Sequence, residues 1–289
     1  MRLGLLQATI VRAGAVSLGL LALGWACPFP SAAHGGFHEQ LERANHAVAA
    51  DPSAPERYLT RAELYRHHGD HSDALADLDR AAALDPGRHE VDYFRGRVYL
   101  DSGRAQAAEA ALRRYLEREP GSAAARAARA QALVLLGRSL EAAREYTRAI
   151  TVQPVPIPAY YLKRASALAA AGGEHLPEAI RGLDEGLAAL GPAVTLQRAA
   201  IELEIRRENY DQALARLDRA AAGSPRQETW LARRGEILER AGHVVEARDS
   251  FELALGEIER LPPHRRRTDA MVRLEARLRG AIRRFSEIP

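Results

Sequence analysis

The chain has 289 residues, 47% of them apolar, enough to bury a core, which excludes an intrinsically disordered chain. Ala, Leu, Arg and Glu dominate and strand-favouring runs are absent, so the expected fold class is all-α. The formal charge is only +3, with Lys163 the single lysine beside forty arginines, a coding bias that gives no argument for a nucleic-acid partner.

The first residues read as a leader. Arg2 and Arg12 precede the apolar run "AGAVSLGLLALGWA" from Ala13 to Ala26, followed by Pro28, Pro30 and Ser31-Ala32-Ala33. A basic start, a short apolar run and a small-x-small site describe a secretory signal peptide, and cleavage after Ala33 fits this spacing. The run is too short and too interrupted for a membrane span. Cleavage before Cys27 with lipid attachment is the rival, disfavoured by Trp25. Cleavage after Ala33 removes the only cysteine and leaves a mature chain without disulfide or thiol nucleophile. Residues 1–33 are therefore expected to be a signal peptide, and the location periplasmic or secreted.

From residue 34 onward the chain repeats itself. Prolines fall at Pro52, Pro86, Pro120 and Pro154, each 34 residues after the last. Alanines fall at Ala74, Ala108, Ala142, Ala179, Ala213 and Ala247, with spacings of 34, 34, 37, 34 and 34. The extra residues lie in the long turn "GGEHLPEA" and in the link "QPVPIPAYY" from Gln153 to Tyr161. Turn glycines Gly69, Gly103 and Gly137 stand five residues before their alanines, whereas Glu208 takes that place in the fifth unit. A small residue recurs in the first half of each unit (Ala62, Gly96, Ala130, Ala165, then Ile201 and Gly235). A bulky one recurs in the second half (Leu78, Leu112, Tyr146, Leu183, Leu217, Phe251). Each unit thus reads as helix, Gly turn, helix, Pro stop, with the small column letting helices approach and the bulky one filling the space beside it.

At these residues the chain resembles the tetratricopeptide repeat family, in period, small first-helix residue, Ala and bulky pair, and closing Pro. The resemblance implies a right-handed superhelical solenoid of about six helix-turn-helix units over 55–261. A capping helix is expected at each end, within 34–54 and 262–289. The N-terminal cap is expected over Phe37 to Ala50. In the C-terminal one, Arg265 to Phe285, Met271, Leu274, Leu278, Ile282 and Phe285 form one stripe that covers the last repeat. Glu208 in place of a turn Gly implies less regular packing of the fifth repeat.

The resemblance further implies a protein-binding role through a concave face lined by the first helices. The repeat register places Tyr93, Phe94, Arg97, Gln131, Val134, Leu162, Lys163, Arg198 and Glu202 on that groove, apolar and aromatic at its centre, charged at its flanks. The set of Lys and Asn with which some family members grip a terminal carboxylate is absent. The expected activity is that of a non-enzymatic scaffold or adaptor for a protein or peptide of unknown identity.

Motifs for catalysis are absent: no phosphate-binding Gly-rich loop, no His-Glu-x-x-His, no nucleophile elbow. No cofactor is expected. Arg61, Arg95, Arg129, Arg164 and Arg234 each precede the small column, and repetition argues for structure, since a catalytic arginine would appear once. Several are expected to bond acids of the following helix, as Arg61 with Asp77. "YRHHGDHSD" puts His67, His68 and His71 with Asp70 in one turn, and cleavage after Ala33 would expose His34 with His38 near it. These five histidines define the alternative reading, a copper-handling protein, against the simpler one of exposed turn residues. Residues 264–289 hold eight Arg and three acids, so the C-terminal helix is also a candidate contact for an acidic surface.

Overall fold

The computed structural model describes residues 32–286, with side chains from 36 to 285. The apolar run, Cys27 and the leader up to Ser31 lie outside the described residues. Among the described residues all regular structure is helical. Helix α1 (Ala32–Ala50) is followed by the pairs α2 (Pro55–His68) with α3 (His71–Leu84) and α4 (Glu90–Asp101) with α5 (Ala105–Arg118). Next come α6 (Ala123–Leu135) with α7 (Ser139–Val152), and α8 (Pro158–Ala171) with α9 (Leu176–Leu190). The last pairs are α10 (Val194–Arg206) with α11 (Tyr210–Ala221) and α12 (Gln227–Arg240) with α13 (Val244–Arg260). A short α14 (Pro263–Arg266) and α15 (Asp269–Ser286) close the chain. No helix among the described residues is long and apolar enough to cross a membrane.

The sequence punctuation acts locally. Pro52, Pro86, Pro120 and Pro154 each stand two residues beyond the end of α1, α3, α5 and α7, where a residue without an amide proton cannot extend the helix. Gly69 takes φ 95° at the end of α2, and the amides of Gly69 and Asp70 turn back to the carbonyls of Arg66 and Tyr65 at 3.2 and 2.9 Å. Glu208 adopts φ 59° at the equivalent turn. Its amide and that of Asn209 make the same closure, to Ile205 and Glu204, both at 2.9 Å. The fifth turn is thus as regular as the others, and the irregularity expected there is confined to a side chain held in a left-handed backbone. The added residues of the fourth unit appear as a 3₁₀ turn, Gly173–His175, before α9, and as the extended link before Pro158.

Helices pack on their sequence neighbours, and α2 on α4, α4 on α6 and α8 on α10 also touch along the solenoid. The core is a row of local clusters. One joins Val48 of α1 to Tyr58, Leu78 and Val98; another joins Leu133, Tyr146, Tyr161, Leu183 and Leu196; a last one joins Phe251, Ile258, Met271, Leu274 and Leu278. The small column works by close approach. A Cβ added at Gly96 would lie 2.5 Å from Leu112 Cγ, and one at Gly235 would lie 2.3 Å from Phe251 Cε1.

Both ends are capped by helix, with two differences from expectation. The first helix begins at Ala32 rather than Phe37. The C-terminal segment is broken rather than continuous: the Thr268 amide and hydroxyl both donate to the Arg265 carbonyl, at 3.3 and 2.9 Å, closing α14 before α15 starts. The stripe of α15 does cover the last repeat, Phe285 stacking on Phe251 with centroids 6.1 Å apart.

Candidate functional site

The recurrent arginines tie helix pairs together. Arg61 donates to both oxygens of Asp77, at 2.8 and 2.7 Å, as the spacing predicts. Arg129 bridges two nearly buried acids, Glu109 at 2.7 Å and Glu145 at 3.3 Å. Arg95 and Arg234 reach backward instead, to Asp79 at 2.5 Å and Asp218 at 2.6 Å. The residues sixteen further on, Ala111 and Ser250, offer no carboxylate. Arg164 lies over Gly182, where an added Cβ would sit 2.7 Å from the guanidinium, and donates to the Gly182 carbonyl at 2.9 Å. In the fifth unit the polarity is exchanged. Ala200 stands in the arginine column, while Arg216 of α11 bonds Asp184 at 2.6 and 2.8 Å and Glu204 at 3.3 Å. Glu204 Oε2 has no hydrogen bond, with Arg207 3.6 Å away. These groups pair with one another inside the stack, so the column is structural.

The register-predicted groove residues divide. Tyr93 is half-buried against Leu112, Leu116 and Ala125, while Phe94 packs on the first cluster. Their rings meet edge to face at 5.6 Å, and Tyr115 lies 5.3 Å from Tyr93. Arg97 lies over the Tyr93 ring at 5.7 Å and pairs with Glu63 at 2.8 Å. Burial tends to raise the Glu63 carboxyl. The hydrogen bonds from Arg66 and the charges of Arg97, Arg66 and His67 outweigh it and hold the carboxyl below its ordinary value. Gln131, Val134 and Lys163 are exposed, and Leu162 is half-buried against the central cluster.

Arg198 and Glu202 are brought together in a cavity of about 870 Å³ between α10, α12 and α15. Tyr93, Phe94, Arg97, Gln131, Val134, Leu162 and Lys163 are not among its lining residues. The cavity adds Trp230, Arg233 and Glu236 of α12, with Met271, Leu274 and Arg277 of α15. Glu236 stands 34 residues after Glu202, so the repeat register could have found it. The contribution of α15 depends on how the cap docks, which no repeat column encodes.

The histidines do not converge. His67 pairs with Glu63 at 3.3 Å, and His68 stacks on Phe37 with centroids 3.8 Å apart while meeting Asp70 at 2.8 Å. Among the described residues, no three His, Cys, Asp or Glu side chains are placed to hold a metal ion, which includes His38, His67, His68 and His71. His34 lies outside the described side chains. At the C-terminal end, Arg277 and Arg284 pair with Glu236 and Glu239 of α12, at 3.2 and 3.0 Å. Arg266 and Arg279 pair with Glu275, at 3.1 and 2.6 Å.

Two family models, both described as tetratricopeptide repeat, match this chain, one over residues 65–132 and the other over 32–89 and 198–263. No curated protein matches it. Among solved structures, the C-terminal part of a TPR repeat-containing protein from Cytophaga hutchinsonii aligns with a TM-score of 0.62 at 13% identity, over 84% of this chain and 96% of that one. A tetratricopeptide repeat protein from Parabacteroides merdae aligns at 0.52 and 14% identity, over 90% of this chain and 96% of its own. YrrB, described as a TPR protein with an unusual peptide-binding site, aligns at 0.52 and 21% identity, over 64% of this chain and 94% of that one. At these identities the structures speak for the fold. The family models, covering more than half of the chain between them, and the repeating helix pairs agree that this chain belongs to the tetratricopeptide repeat family.

Proposed function

We propose that the chain is a non-enzymatic scaffold of the bacterial envelope, exported by way of residues 1–33, that captures a peptide or protein segment along its concave face. The observation that carries this reading is the cavity of about 870 Å³ between α10, α12 and α15, which combines apolar side chains, Trp230 among them, with charged ones. Repeat proteins of this family typically mediate protein–protein contacts, and the fold is shared with a repeat protein described as having a peptide-binding site. The non-enzymatic reading is supported by the ionic columns. The buried carboxylates Asp77, Glu109, Glu145 and Glu204 all face guanidiniums and are spent on holding helices together. The basic α15 is a candidate second contact with an acidic surface. Four of its neighbourhood arginines are neutralised by acids of α12 and α15, while Arg265, Arg267, Arg273 and Arg283 have no ion-pair partner among the described residues.

The test is a pull-down from an envelope extract with the mature protein and with a Val194→Asp, Arg198→Glu variant. Both substitutions fall on exposed positions lining the cavity. The variant is expected to keep its helical circular dichroism and lose the captured partner. Equal capture by both would move the binding surface elsewhere, and full-length chain recovered from the cytosol would remove the envelope assignment.

A further inference from the structure

The charges lining the cavity are almost all spent on each other. Arg233 pairs with Glu202 and with Glu236, the latter at 2.7 Å, and Arg277 pairs with Glu236 at 3.2 Å. Two carboxylates and two guanidiniums thus form a chain that runs from α10 through α12 to α15 and neutralises itself. Arg226 is taken by Glu228 at 3.2 Å. Arg198 is different. It is exposed, it lines the same cavity, and it has no carboxylate partner among the described residues. Glu202, one turn further along the same helix, is held by Arg233 instead. The cavity therefore presents one uncompensated guanidinium beside an apolar surface made by Trp230, Ile201, Met271 and Leu274 and by Val194, which is 58% exposed.

We infer that this cavity selects a peptide segment in which an acidic side chain stands close to a bulky apolar one, the carboxylate meeting Arg198 and the apolar group resting against Trp230 and Met271. This rests on the groove reading above and adds the chemistry of its ligand. A guanidinium offers a planar pair of donors that fits a carboxylate. The neighbouring acids cannot repel that carboxylate strongly, because each already faces an arginine. A cationic segment, by contrast, would face Arg198 with no free acid to offset it. Discrimination by like-charge repulsion is as much a part of such a site as attraction.

The experiment uses the mature chain, immobilised and panned against a displayed library of random dodecapeptides, beside an Arg198→Glu variant and an Arg198→Gln variant. The expected result is enrichment of Asp or Glu within a few residues of an aromatic or large aliphatic side chain. The Gln variant should lose the acidic preference while keeping the apolar one, and the Glu variant should enrich Lys or Arg instead. For a synthetic peptide from the enriched set, Arg198→Gln should weaken binding about tenfold, with affinity falling as salt is raised. Enriched peptides without acidic preference, or an unchanged preference in the Glu variant, would overturn the inference and leave the groove reading standing. No enrichment by any of the three would overturn both.

Discussion

Arg129 carries more of the stack than its place on a first helix suggests. It reaches Glu109 on the preceding helix and Glu145 on the following one, and both acids are nearly buried. Removing the guanidinium leaves Glu109 as a buried carboxylate without its partner, whereas Glu145 keeps Arg126 and Arg148. Arg129→Ala is therefore expected to cost about 3 kcal/mol in urea unfolding, and Glu109→Gln in that background should recover part of it. Tyr146 supplies the bulky column of the third unit and is buried in the central cluster. Burial, with a smaller contribution from Tyr160, pushes its hydroxyl up to about 12 from 10.0. The unfolded chain ionises first, so the stabilisation from keeping Tyr146 neutral is present below pH 10 and is lost as pH rises toward 12. Melting temperature should fall through that window, and Tyr146→Phe should remove part of the fall.

At the scale of the element, the turn after α10 is the informative one. Five turns that join the helices of a unit have a glycine at positive φ, in Gly69, Gly103, Gly137, Gly172 and Gly242, and the fifth unit places Glu208 at φ 59°. A residue with a Cβ loses about 1 kcal/mol in that region relative to glycine. Glu208→Gly should therefore raise stability by about a few tenths of a kcal/mol, once the added unfolded-state entropy of glycine is set against the relieved strain. A lowered midpoint in thermal or urea unfolding would show that the Glu208 side chain makes a compensating contact. The small column is a second property of the element. Gly235 admits the Phe251 ring, so Gly235→Ala should cost about 1–3 kcal/mol as the ring is driven toward Phe285.

The whole molecule stands as a row of neighbouring clusters, each built from helices that follow one another in the chain. The last cluster is completed by α15, through Met271, Leu274, Leu278 and the partly buried Phe285. A chain ending at Leu261 would uncover Phe251, Ala254 and Ile258, all nearly fully buried in the capped molecule. Such a truncation is expected to aggregate or to lose α12 and α13 first. Hydrogen exchange should find the amides of α2 to α7 protected as before, because in a solenoid each unit contacts only its neighbours. Loss of protection across all helices would mean that the clusters fold as a single cooperative unit.

The period, the Pro stops and the alternation of small and bulky columns were legible in the sequence, because each is a local requirement: a proline cannot continue a helix, and a glycine admits a large ring wherever two helices cross. All-α pairs and their order follow from these, and the C-terminal cap from the apolar stripe between Met271 and Phe285. Arg61 with Asp77 was legible too, since sixteen residues separate facing positions of a unit. Three things were left to the tertiary structure. Arg95 and Arg234 turn backward, because the forward positions are Ala111 and Ser250 and the available acids sit on the preceding helix. Tyr93 and Phe94, placed on the groove by register, are half drawn into packing, because the repeat phase fixes a helix face but not how deeply the next pair covers it. The cavity around Arg198 exists only because α15, broken from α14 at Thr268, brings Met271, Leu274 and Arg277 against α10 and α12. Periodic sequence specifies contacts between neighbours; a cap docks once, by shape and charge, and no repeat records it.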